Sequence, residues 1–223
     1  KSRSKGDDLQ KWHFDLAASV QKFTEKVIFH ILNKLYENTK SVNLCISGGV
    51  AQNSVANGKI LENTHFKNIY IPSAGGDAGT SIGSALYLYN NILGNDRREE
   101  ITSAYFGATF NHEEIINILE KQDIKYTLVS DEDLFERVTD KLLNGGVVGW
   151  FQGRAEFGPR ALGNRSILVD PRREDAKELL NVKIKMRESF RPFAPSILKE
   201  NISEYFTQDN LVPFMEQVFD IKE

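Results

Sequence analysis

The stretch Val42 to Asn53, VNLCISGGVAQN, decides how the rest of the chain is read. Its apolar run, Val42 to Ser47, stops at Gly48 and Gly49, which predicts a buried strand feeding a tight turn. A helix is expected to follow, from Ala51 to Glu62. Two glycines where a strand meets a helix let backbone N–H groups approach an anionic or nucleotide ligand with no Cβ in the way. A ligand-free βα turn has the same local sequence, so the heptapeptide SGGVAQN does not by itself separate the two readings.

Outward from this turn the pattern repeats. Upstream, Leu16, Val20, Phe23, Val27 and Ile31 recur at steps of three and four, with Ile28, Leu32 and Leu35 beside them, which predicts a long amphipathic helix from Leu9 to Tyr36. Downstream, Lys67 to Ile71 reads as a second strand ended by Pro72, followed by a loop through Gly75 and Gly76 and a helix from Thr80 to Ile92. In this second glycine segment, AGGDAGTSIGSAL (Ala74 to Leu86), the one carboxylate is Asp77. As a helix cap it would satisfy backbone donors; as a ligand it would offer a hard oxygen to a divalent metal or a metal-bound phosphate. Strand, turn and helix in repeated order predict an α/β layer.

Gly94 to Glu100 (GNDRREE) has the composition of a linker, which sets expected domains of 1–95 and 101–223. Beyond it, His112 to Lys121, Asp131 to Leu143 and Asp175 to Lys185 are expected as helices, and Tyr126 to Val129 and Val147 to Phe151 as strands. There is no fixed-period repeat. The chain opens without Met on a helix and stops at Glu223 without a tail, so it reads as a piece of a longer protein.

With 40% apolar and 26% charged residues the chain can bury a core. A net charge of -3 argues against nucleic acid as the main partner. Cys45, the single cysteine, can form no internal disulfide, is expected in the core and suits the cytoplasm. No segment is apolar enough to span or target a membrane.

Charge is concentrated elsewhere. From Trp150 to Arg191 there are ten basic residues against six acidic ones. The arginines lie among glycines, prolines and aromatics (GWFQGRAEFGPRALGNRSIL, then RESFRPFAPSIL), which suits bidentate capture of phosphate or carboxylate more than a solvated helix face does. The competing reading is internal pairing with Glu156, Asp170 and Glu188. Glu156, in so basic a setting, is expected to be ionised and to orient an arginine.

The two glycine segments resemble the second half of an actin-like ATPase domain, in the branch that includes the tRNA threonylcarbamoyl-transfer proteins. The arginine motifs, placed after them, resemble the O-carbamoyltransferase family that modifies nodulation factors, cephamycins and aminoglycosides. The resemblance covers nearly the whole chain. It implies the end of an actin-like domain followed by the start of a YrdC-like α/β domain. The implied chemistry is that carbamoyl phosphate and ATP give a carbamoyl-adenylate, whose carbamoyl group passes to a hydroxyl of a small molecule or sugar. It further implies that Gly48, Gly49 and Asn53 contact adenosine and phosphate, and that Asp77 binds a divalent metal, iron or magnesium, with a histidine pair. That pair is not found: of His13, His30, His65 and His112, no two lie four apart. Arg154, Arg160, Arg165 and Ser166 are implied in a carbamoyl phosphate and ATP pocket, with Lys185, Arg187 and Arg191 completing its positive lining; Arg160, Arg165 and Lys185 are the expected catalytic set. The chain alone is expected to be inactive. The alternatives are a nucleotide-binding module without turnover and a relative of the tRNA threonylcarbamoyl transferases.

Overall fold

The computed structural model describes residues 3–4 and 7–222. Helix α1, Lys11–Thr39, begins where the Gln10 backbone N–H donates to His13 Nδ1 (2.8 Å) and ends at Lys40 in the left-handed region. The chain then forms strand β1 (Asn43–Cys45), a 3-10 turn (Gly49–Gln52), two short helices, α2 (Ser54–Gly58) and α3 (Ile60–Asn63), and strand β2 (Asn68–Tyr70). β1 and β2 pair in parallel, Leu44 opposite Ile69, as a strand–helix–strand crossover requires.

The expected continuous helix from Ala51 to Glu62 is therefore broken. Asn53 adopts a non-helical backbone and its side chain accepts from Ala56 N–H, so it starts a new helix in place of continuing one. Leu32, Leu44, Ile60 and Phe66 form the core here, packed by Ile28, Phe29 and Tyr36 of α1. Of the apolar residues noted in the sequence, Ile28 and Leu32 face the core, while Leu16, Val20, Phe23, Val27 and Ile31 face outward, Phe23 at 69% exposure. Helix α1 is apolar on two sides, and β1 with α3 covers only one. Cys45 is exposed, not in the core, because alternation along β1 turns Leu44 inward.

Helix α4 (Gly79–Tyr87) begins within the second glycine segment and runs on as a π turn, Leu88–Ile92. Residues 94–100 are exposed and irregular. Helices α5 (His112–Lys121) and α6 (Asp131–Leu143) occupy their expected spans, each with a polar cap: Asn111 accepts from Glu114 N–H and Ser130 from Asp133 N–H. Tyr126 to Val129 is not a strand. It has no neighbouring strand to take its backbone groups, and the Tyr126 hydroxyl donates to Glu120 Oε1 at 3.1 Å.

Strand β3 (Val147–Phe151) is antiparallel to β4 (Arg165–Val169), a strand not anticipated from the sequence. Trp150 stacks on Phe135 of α6 at 6.5 Å. A thirteen-residue loop, 152–164, joins the two strands and carries the arginine motif. The expected helix Asp175 to Lys185 is a single turn, α7 (Ala176–Glu178), continued by a π turn, Leu179–Ile184. After a 3-10 turn at Lys199–Asn201 and α8 (Ile202–Tyr205), the segment from Gln208 to Val218 returns to the first part of the chain. Asn57 Nδ2 donates to Glu216 O (2.9 Å), and Val218 N–H donates to Ser54 O (3.1 Å). No helix among the described residues is long and apolar enough to cross a membrane.

Candidate functional site

The two glycine turns touch. Gly48, at φ +101°, donates its N–H to Gly75 O, which joins the end of β1 to the loop after β2. A Cβ at Gly48, Gly49 or Gly76 would meet nothing within 4 Å, so the space in front of these backbones is open. Gly75 differs: a Cβ there would lie 2.7 Å from Gln52 Nε2, so the Gln52 side chain passes directly over it. Asn53 is turned to structural work, exchanging hydrogen bonds with Gln21 (3.0 and 3.1 Å) while it caps α2.

The arginine loop docks on this junction. Ser73 Oγ donates to Phe157 O at 2.9 Å, and Gly158, at φ +144°, passes so close that a Cβ would fall 2.4 Å from Ser73 O. Arg160 then reaches Gln52: Nη1 donates to Oε1 at 3.0 Å and Nη2 to the main-chain O at 3.3 Å. Between the two sides lies an open cleft of about 740 Å³, lined by Gln52, Asp77, Glu156, Pro159 and Arg160 among others. A concave site where polar groups from separate segments converge is suited to a small ligand.

Glu156 builds the loop. Its Oε1 accepts from the backbone N–H groups of Leu162 (2.6 Å), Asn164 (2.8 Å) and Arg165 (3.3 Å). Burial pushes its pKa up, but these donors outweigh burial and hold it below the ordinary glutamate value. Glu156 is thus ionised as expected, and it orients a loop through backbone amides where an arginine side chain was anticipated.

The other expected arginines fall into two further groups. Arg165 lies over the Phe151 ring at 3.6 Å and donates to the carbonyls of Gln152, Gly153, Asn164 and Ala108. Arg154 donates to Phe106 O at 3.3 Å, and Ser166 Oγ accepts from Gly163 N–H at 3.0 Å. Lys185 and Arg187 both lie over Phe193, while Arg187 Nε donates to Oδ1 of the fully buried Asn181 (2.6 Å). Arg191 pairs with Glu188 at 2.7 Å, and Arg172 with Asp170, whose pKa its guanidinium holds down to about 2. Among the described residues no hydrogen bond or ion pair links Lys185, Arg187 or Arg191 to the Arg160 loop. Of the side chains expected in one positive pocket, Arg160 lines this cleft, and the others contact carbonyls, aromatic faces and local acids.

Asp77 is exposed on the cleft wall, and α4 has no side-chain cap, so the capping alternative for Asp77 is not what the structure shows. Its carboxylate has no hydrogen-bond or ion-pair partner among the described residues. The same residues contain no group of three His, Cys, Asp or Glu side chains placed to hold a metal. His13 sits at the start of α1 and His65 packs on Tyr36 at 4.9 Å. A lone carboxylate does not make a divalent-cation site, which needs several oxygen or nitrogen donors, so the residues present do not fit a complete metal centre.

Sequence reasoning passed over Gln52 and Glu216. Gln52 lay inside the quoted turn, between residues that were singled out. Glu216 carries no local signal; it is 4% exposed, its carboxylate accepts from Phe214 N–H at 2.9 Å, and burial raises its pKa against the opposing charge of Arg160.

A family model described as the carboxyl terminus of carbamoyltransferases matches residues 139–223, and one described as their amino terminus matches residues 1–86. An uncharacterized protein of Synechocystis is 48% identical over 99% of this chain and 37% of its own length. Nodulation protein NolO of Bradyrhizobium diazoefficiens is 39% identical over 99% of this chain and 41% of its own length. The 3'-hydroxymethylcephem-O-carbamoyltransferase of Streptomyces clavuligerus is 30% identical over 77% of this chain and 31% of its own length. The chain thus spans between about a third and two fifths of the length of these curated relatives.

Proposed function

The chain belongs to the carbamoyltransferase family, and from that premise we propose that it serves an ATP-dependent O-carbamoyltransferase. In balanced form, carbamoyl phosphate and water give carbamate and phosphate, carbamate attacks the α-phosphorus of ATP to give carbamoyl-adenylate and pyrophosphate, and an acceptor hydroxyl displaces AMP as it takes the carbamoyl group. The acceptor is a hydroxyl of a small molecule or sugar, and the cephem-modifying relative supports the small-molecule reading. A cytoplasmic site of action accords with the single cysteine. The domain reading that goes with this is an actin-like first part and a YrdC-like second part.

The observation that carries the proposal is the meeting of Arg160 with the Gln52 turn beside Asp77. One region matches the amino-terminal family model and the other the carboxyl-terminal one, and their most ligand-suited motifs face one cleft. A guanidinium lining a cleft between the glycine turns and the arginine loop is suited to the charge that builds on a phosphate as pyrophosphate leaves. Its test is product analysis with the full-length protein. Pyrophosphate is expected from ATP only when carbamoyl phosphate is present, and ADP as the sole nucleotide product would overturn the proposal.

A further inference from the structure

We propose that Gln52 is a positioning residue for Arg160, holding its guanidinium at the rim of the cleft where the phosphate groups of ATP bind. The inference rests on the carbamoyl-transfer reading above and deepens it by naming the residue that aims the arginine.

An arginine on a loop samples many rotamers, and fixing it takes acceptors. Among the described residues Arg160 has two, and both belong to Gln52. No acid within ion-pair distance competes for it among the described residues, although Glu156 and Asp77 line the same cleft. The choice of an amide matters. A carboxylate at position 52 would hold Arg160 as firmly and cancel the charge that an anion needs, whereas a neutral carbonyl oxygen orients the guanidinium and leaves its charge available.

Gln52 is itself fixed from two directions. Its main chain closes the 3-10 turn Gly49–Gln52, and its amide runs over Gly75, where any side chain would collide with Nε2. The loop bearing Arg160 is held independently, by Ser73 Oγ on Phe157 O and by the close passage of Gly158. The turn after β1, the loop after β2 and the arginine loop therefore meet at one junction, and the turn alone reaches the guanidinium. The turn that opens the first glycine motif sets the direction of an arginine more than a hundred residues away.

The test is a double-mutant cycle on ATP affinity, read by calorimetry on the full-length protein: wild type, Gln52→Met, Arg160→Met and the double variant. Met keeps the length and volume of Gln52 and removes its side-chain acceptor, leaving the main-chain oxygen in place; Gln52→Ala replaces it in the cycle if the Met variant does not fold. Arg160→Met is expected to weaken ATP about tenfold or more, Gln52→Met by a similar or smaller factor, and the double variant no more than Arg160→Met alone. Losses that multiply, or an unchanged affinity in Gln52→Met, overturn the inference. Wild-type protein that binds no ATP overturns the proposed function itself, so the two failures are distinguishable.

Discussion

Arg160 gives both of its terminal nitrogens to one residue, Gln52, at 3.0 Å to the side-chain oxygen and 3.3 Å to the main-chain oxygen. That pair ties the arginine loop to the first glycine turn.

The close passage of Gly158 over Ser73 makes the docking of the loop sensitive to a single methyl group. Gly158→Ala places a Cβ 2.4 Å from Ser73 O at a positive φ, so the loop must shift. A loss of about 1–3 kcal/mol is expected in denaturant unfolding. Gly149→Ala, on β3 where a Cβ meets nothing within 4 Å, is the control and should stay within about 0.5 kcal/mol of wild type.

Arg165 is predicted to act on stability through the hairpin loop. Its guanidinium serves four carbonyls and the Phe151 ring. Arg165→Ala should cost about 1–3 kcal/mol of unfolding free energy. Arg165→Lys should recover little of it, since a single ammonium cannot reproduce a planar fork. Full recovery by lysine would show that charge alone matters there.

Glu156 links the loop to acid. Its folded pKa is depressed, so its stabilisation is present above the ordinary glutamate pKa and is lost as pH falls through the lowered value. Thermal melting followed down through the acid range should show wild type losing stability more steeply than Glu156→Gln. Parallel curves would contradict the assignment.

Glu216 carries the opposite sign. Burial raises its folded pKa, so its contribution is fully present below the ordinary glutamate pKa and is lost as pH rises through the raised one. Gln keeps an oxygen for Phe214 N–H and removes the ionisation. The melting temperature of Glu216→Gln should match wild type in acid and exceed it once pH has risen through the raised pKa. A gap that closes on raising the pH would contradict this.

What could be read in advance depended on how local the physics was. Helices α5 and α6 were legible because Asn111 and Ser130 cap them within one turn of sequence, and β1 because a run of apolar residues ends at Gly48. The break at Asn53 was not, since an Asn in a helical pattern announces a cap only once its side chain has found Ala56 N–H. Which side of α1 is buried depends on β1 and α3, so periodicity revealed the helix and left open which of its apolar sides packs inward. In the site, the SGGVAQN turn and the arginine motif were both visible as ligand-suited segments. Their meeting, and the spending of Arg165 on carbonyls and Arg191 on Glu188, are long-range or conformational facts that residue type does not carry.

The most direct test of the account is a crystal structure of the full-length protein soaked with ATP or carbamoyl phosphate. The account predicts density for the phosphate groups in the cleft bounded by Gly76, Asp77, Phe157 and Arg160, with the Arg160 guanidinium within hydrogen-bond distance and still in contact with Gln52. Ligand density away from this cleft, with Arg160 unmoved on Gln52, would contradict it.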